Sequence, residues 1–251
     1  MGSDGDPVNS LPKVFVGTMY SNEGDYQLCC DKIASQKGVV VKHFVVAGLK
    51  EKEAHNALWA GWRAARHDHD LFVKVDADTV LISDETLATI WDLFTRDPRI
   101  TGMQAPLHDY MTDGHINGLN AFSPKVTFND TQDELYCDRR VDTNHDIVLS
   151  ELSLPPTLVP AGYHCHHASD RQAFHYGLHR MLKNQHHVLD RVKAAWHRSK
   201  DRLRAFAIVG AAAAPAFAVN KKFNYDDPEF EQAFVDACRD YESPTKDTAP
   251  R

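Results

Sequence analysis

The sequence predicts an α/β fold: a mixed, Rossmann-like sheet with helices on both faces, followed by a helical C-terminal extension. Three observations predict it. Short apolar runs alternate with helically periodic segments in the order β-α-β-α-β-α through the first hundred residues, the pattern of strands laid parallel under covering helices. The chain has 251 residues, 43% hydrophobic and 25% charged, ordinary values for a soluble globular protein. Helical periodicity then returns after a turn-rich middle. That composition excludes a disordered tail, a collagen-like repeat and a disulfide-built miniprotein.

The elements follow in order. Val14 to Gly17 is a short apolar run ending in polar turn residues, a buried first strand. Tyr26, Cys29, Cys30 and Ile33 have helical spacing, with Ser21 or Asn22 as the expected cap. Val39 to Val46 is β-branched and reads as the second strand. Ala54, Leu58, Trp62 and Ala65 form one buried helical face, and Leu71 to Val75 is the third strand. Ser83 and Asp84 precede a third helix carrying Leu87, Ile90, Trp91 and Phe94. From about Thr101 to Pro160 the chain is richer in turns, with short apolar runs at Thr101–Ala105 and Thr157–Val159 completing the sheet. Helix is expected from Ser169 to about Arg204, then an apolar run from Ala205 to Val219 and a polar tail.

Charge narrows the function classes. Lys and Arg number 28 against 35 Asp and Glu, a net charge of −7, so no global basic field recruits nucleic acid. Five cysteines, two of them adjacent, read as thiols of a reducing compartment. The first eleven residues are small and polar with no apolar h-region, and the 205–219 run is short and broken by Gly210 and Pro215. A cytoplasmic protein is expected. Histidine is unusually frequent, at fifteen.

The strongest chemical signal is LFVKVDADT at 71–79. Alternation along a strand puts Asp76 and Asp78 on the same side at its end, where two carboxylates suit Mg²⁺ or Mn²⁺ and can bridge to phosphate oxygens. Asp4/Asp6 and Asp68/Asp70 share the spacing, but only Asp76/Asp78 ends an apolar strand in the βα series.

At these residues the chain resembles the GT-A fold glycosyltransferases, most closely the family 2-like bacterial enzymes. VGTMYSNEG at 16–24 resembles the strand-end loop that holds nucleobase and ribose. EAHNAL at 53–58 resembles the helix bordering the nucleotide-sugar, and VKVDAD at 73–78 resembles the metal-binding Asp-x-Asp motif. The resemblance implies a glycosyltransferase domain over 12–180, with a nucleotide-sugar half to about 105 and an acceptor half from 106, and an extension from 181 to 251. It assigns Thr18, Tyr20 and Glu23 to the nucleotide pocket, and His55 and Asn56 to the border of the sugar diphosphate. Asp78 would bind the metal, with Asp76 reaching the ribose or the metal through water. The acidic residue that many members carry after the second strand is missing, which leaves UDP-sugar or GDP-sugar as donor.

NHDIVL at 144–149 resembles the segment holding the catalytic base of inverting members, mapping to Asp146 with Asp142 as competitor. A carboxylate there would take the acceptor hydroxyl's proton. PAGYHCHH at 160–167 resembles the late segment whose histidine returns to the metal, here His164 or His166. His175 and His179, at i and i+4, read as a solvated helix face. Eight basic residues against two Asp between Arg180 and Arg204 lead into the apolar run, an arrangement that suits peripheral contact with an anionic inner-membrane surface.

The resulting expectation is a metal-dependent transferase, with Mn²⁺ or Mg²⁺, moving a sugar from a nucleotide diphosphate to a hydroxyl of a glycan or lipid-linked acceptor in bacterial surface glycan synthesis. The alternatives are a histidine-rich metal-dependent hydrolase, pointed to by HDHD at 67–70, and a non-catalytic nucleotide-sugar-binding protein.

Overall fold

The computed structural model of the chain describes residues 10–137, 141–218 and 221–242. The Asp4/Asp6 pair, Val219 and the polar tail from 243 lie outside the described residues. The expected class is the one found: a mixed α/β fold with helices on both faces of one sheet.

Strand β1 (Lys13–Tyr20) pairs in parallel with β2 (Val40–Ala47) on one side and β3 (Leu71–Lys74) on the other. Between these strands run α1 (Tyr26–Ala34) and α2 (Glu51–Ala65). A short β4 (Thr79–Leu81) leads into α3 (Thr86–Arg96). The turn-rich middle supplies an antiparallel pair, β5 (Ile100–Asp109) and β6 (Gly114–Phe122), a small hairpin of β7 (Thr127–Phe128) with β8 (Asp142–Thr143), and the short β9 (Ile147–Leu149) and β10 (Gly162–His164). The main sheet runs β2-β1-β3-β6-β5-β10-β4. β9 lies in parallel against the start of β5 and β10 against its end.

Period-two alternation explains the two covered faces. Val14 and Val16 of β1, with Leu71 and Val73 of β3, pack against Cys29 and Ile33 of α1 and Leu87 and Ile90 of α3. Phe15 and Phe72, one residue out of phase, meet Leu58, Trp59 and Trp62 of α2. Trp62 stacks on Phe72 at 5.1 Å between centroids, and its indole N–H donates to the Val126 carbonyl at 3.2 Å.

The helical character expected from Ser169 to about Arg204 is found, divided between separate helices and continued into the apolar run. Asn184 (φ 53°) and Lys200 (φ 55°) take left-handed conformations that separate α4 (Asp170–Leu182), α5 (His186–Ser199) and α6 (Arg202–Ala213). A further helix, α7 (Pro228–Glu242), follows. A Cβ at Gly177 would lie 1.7 Å from the Ala207 carbonyl oxygen and one at Gly210 would lie 2.0 Å from that of Phe174, so α4 and α6 touch backbone to backbone. The apolar run therefore serves helix packing, and no helix among the described residues is long and apolar enough to cross a membrane.

Two local expectations change. Helix α1 starts after Asp25, not after Ser21 or Asn22, because Asn22 (φ 73°) turns the chain through the left-handed region first. Residues Pro156–Leu158 form a single 3₁₀ turn and not a strand.

Candidate active site

The carboxyl ends of β1 and β3 open on a cavity of about 200 Å³. Strand β3 ends at Lys74, and Asp76 and Asp78 sit in the turn before β4, closed by the Thr79 amide donating to the Asp76 carbonyl at 2.9 Å. Both line the cavity, with different neighbours. Asp76 is ion-paired with Lys74. Asp78 Oδ2 has the Cys165 thiol at 3.2 Å, the Gln172 amide at 3.1 Å and His164 Nε2 at 3.3 Å.

Sheet register delivers His164 to this point. Strand β10 lies between β5 and β4, pairing His164 with Asp109 on one side and with Thr79, next to Asp78, on the other. His164 Nδ1 is 2.7 Å from Asp109 Oδ1, and Asp109 is fully buried, accepting from the Thr112 amide at 2.9 Å, the Thr112 hydroxyl at 2.6 Å and the Tyr176 hydroxyl at 3.2 Å. Burial works against a charged imidazole at His164, yet Asp78 and Asp109 outweigh it and hold its pKa up at about 9. His166 is exposed and packs on the rings of Tyr163 and His167, so of the two histidines His164 is the one beside Asp78.

The remaining predicted residues divide. Glu23 lines the cavity, where burial lifts its carboxyl to about 7 although the Ser21 amide donates to it at 2.7 Å. His55 lines it too: Nδ1 meets the Glu51 carbonyl at 2.9 Å, and Nε2 is buried with no hydrogen-bond partner among the described residues. Tyr20 lies in a neighbouring hollow of about 540 Å³ between the ends of β1 and β2, stacked on Tyr26 at 3.9 Å. Thr18 lines neither hollow; it is buried against His43, 2.9 Å away. Asn56 turns from the cavity to clamp Thr131, accepting from its amide at 2.8 Å and donating to its carbonyl at 3.2 Å.

Asp142 and Asp146 are not brought to this cavity. β9 pairs with the first residues of β5, Ile100 opposite Ile147, and the Asp146 amide donates to Thr101 Oγ1 at 2.9 Å. Asp109, which holds His164 from behind, is the last residue of the same strand, about 30 Å away at the rise of an extended chain. Asp142 is spent on an ion pair with His145. In the HDHD segment Asp70 accepts from the Lys13 amide at 2.8 Å and His69 is bonded to the Ala65 carbonyl at 2.8 Å, while His67 and Asp68 are exposed.

Other cavity residues have no signal in the one-dimensional pattern. Lys222, Asn224 and Tyr225 return from beyond α6 to form one wall. His175 and His179 hold that return: His179 is buried and His175 half-buried, neither on a solvated face, and both reach the Phe223 carbonyl, at 2.7 and 3.0 Å. Lys222 Nζ is 2.5 Å from Glu51. Burial alone would raise the Glu51 pKa, but Lys222 and His55 bring it down to about 2. Cys165 stands inside a segment the sequence marks for its histidines alone.

The donor set fits a divalent ion. Asp78, His164 and Cys165 turn a carboxylate oxygen, an imidazole nitrogen and a sulfur toward one point, and Glu51, His55 and Cys137 form a second, looser group with donor atoms within 4.8 Å of one another.

No protein-family model and no curated protein matches the chain. Thirteen chains of solved structures match. One is a glycosyltransferase involved in the glycosylation of the major capsid of PBCV-1, at 14% identity and a TM-score of 0.31, covering 45% of this chain and 60% of that one. The chain thus spans less than two thirds of that protein. Another is a mannosyltransferase of Pyrobaculum calidifontis in complex with GDP-Man and Mn²⁺, at 16% identity and a TM-score of 0.35, covering 93% of this chain and 81% of that one.

Proposed function

We propose that the protein is a metal-dependent glycosyltransferase that moves a sugar from a nucleotide-diphosphate donor to an acceptor hydroxyl. One observation carries the reading: Asp76, Asp78 and His164 line a single cavity at the strand ends, next to the hollow between β1 and β2. Ser21, Asn224 and Tyr225 border both spaces, so an extended ligand with a flat base at one end and a diphosphate at the other fits across them. Tyr20 stands on the nucleotide side, and Glu23 and His55 line the cavity beside the diphosphate.

A divalent ion bound at Asp78 would neutralise charge on the leaving diphosphate. The chain's own cations face the same space: Lys74, Arg180 and Lys222 line the cavity and would hold the phosphates in place. Glu23, neutral below about pH 7, is placed to donate a hydrogen bond to the nucleotide. Asp142 and Asp146 are withdrawn as bases, because neither reaches the cavity. The donor is a UDP- or GDP-sugar and the acceptor a glycan or lipid-linked hydroxyl. The exposed basic residues of α5, among them Arg191, Lys193 and Arg198, suit an anionic inner-membrane surface. The hydrolase alternative loses its motif to the structural bonds of His69 and Asp70.

Calorimetric titration of UDP and GDP, with and without Mn²⁺, tests the reading. One nucleotide should bind only with Mn²⁺, and Asp78→Ala should abolish that binding. No nucleotide binding in any metal condition would end the proposal.

A further inference from the structure

We propose that Cys165 is itself a ligand of the Asp78–His164 metal site and makes it selective for a thiophilic ion, Zn²⁺ above Mn²⁺ or Mg²⁺. The inference deepens the transferase reading and rests on it for the use of the ion, though not for its ligands.

The three donor atoms have the spacing of a tetrahedral face. Asp78 Oδ2 to His164 Nε2 is 3.3 Å, Asp78 Oδ2 to Cys165 Sγ is 3.2 Å and His164 Nε2 to Cys165 Sγ is 3.7 Å. Zinc bonds of roughly 2.0–2.1 Å to nitrogen or oxygen and 2.3 Å to sulfur give tetrahedral edges of roughly 3.3 and 3.6 Å. Each observed edge lies within a few tenths of an ångström of those lengths. Three protein ligands leave a fourth position open, as a zinc ion that must also meet a substrate oxygen requires.

The surroundings hold this geometry. The Cys165 amide donates to the Asp78 carbonyl at 3.0 Å, tying the two ligand-bearing loops together. Cys165 has φ 55°, a left-handed conformation that a cysteine adopts only where its neighbours impose it, and this turn aims the buried thiol at Asp78. Behind the imidazole, Asp109 takes Nδ1 at 2.7 Å, the carboxylate–histidine arrangement that directs Nε2 to a metal. Gln172 reaches both Asp78, at 3.1 Å, and the sulfur, at 3.6 Å, from the side. Binding would displace the thiol proton to solvent and form a sulfur–metal bond, a bond that Zn²⁺ favours and Mg²⁺ does not.

X-ray absorption on the intact protein loaded with an equimolar amount of Zn²⁺ needs no variant. A sulfur neighbour at roughly 2.3 Å is expected, and a shell of nitrogen and oxygen alone overturns the inference. Co²⁺ titration then locates the sulfur. A thiolate-to-cobalt absorption should persist in Cys137→Ser and vanish in Cys165→Ser; the reverse puts the thiolate at the Glu51–His55–Cys137 group and overturns it. Zinc affinity should fall roughly tenfold or more in Cys165→Ser while Mn²⁺ affinity changes far less. If Mn²⁺-dependent nucleotide binding through Asp78 holds but zinc has no sulfur neighbour, this inference fails and the transferase reading stands. If zinc sits on Cys165 and no nucleotide binds, the transferase reading fails and the zinc site stands.

Discussion

Glu23 carries a carboxyl that burial lifts from 4.5 to about 7, with Asp78 and Glu51 adding repulsion and the Ser21 amide opposing them. A group raised in this way favours the folded state fully below its unfolded pKa and loses that contribution as pH rises through the folded value. Glu23→Gln, which removes the charge and keeps the shape, is therefore expected to raise Tm at about pH 8 and leave it nearly unchanged at about pH 4.5. Thermal unfolding at both values checks this. The same variant should flatten any loss of nucleotide affinity between about pH 6 and 8, because the amide remains a donor where the ionised carboxyl is not.

Helices α4 and α6 show what the sequence pattern conveys and what it omits. Their crossing needs Gly177 and Gly210, since a Cβ at either would collide with a carbonyl oxygen. Gly210→Ala gains about 1 kcal/mol of helix propensity, yet should lose about 2 kcal/mol net through forced separation of the helices. A lower urea midpoint with unchanged slope would register it. The first three strands and helices were legible because each has one buried face with a clear period, and Val14, Phe72, Trp62 and Ile90 fall where that period puts them. Asp76 and Asp78 were legible as the acidic end of such a strand. Two kinds of information were not. Register, which sets His164 rather than His166 against Thr79, depends on pairing between segments far apart in the chain. The fate of a polar side chain depends on its partner: Asn56 has the right place on α2 but is taken by Thr131.

The whole molecule has a polarity that decides the chemistry. One end of the sheet gathers the termini of β1, β3, β5 and β10, and with them Asp76, Asp78, Asp109 and His164. The start of β5, with β9 and Asp146, is at the opposite end. Asp146→Asn should therefore leave sugar transfer within about twofold of the parent, a change too small for loss of a general base, which costs roughly a hundredfold or more. Steady-state rates with the two proteins side by side measure it. A resemblance over six residues points to Asp146 as a site residue; strand order sets it at the far end of the sheet, because a motif's place in the fold is set by the strand it pairs with.

The wall made by Lys222, Asn224 and Tyr225 also has a consequence for biosynthesis. During translation the β1 loop and the Asp76–Asp78 turn emerge early, whereas this wall emerges more than 140 residues after Asp78. A ribosome-bound chain that has not yet exposed Lys222 has the acidic turn without the lysine that faces Glu51 or the histidine-bound Phe223 that anchors the return. The candidate site is thus assembled late, from segments at both ends of the described residues. Once occupied, it should shield the 221–225 peptide bonds from proteases by linkage, so that ligand binding and resistance to cleavage there rise together.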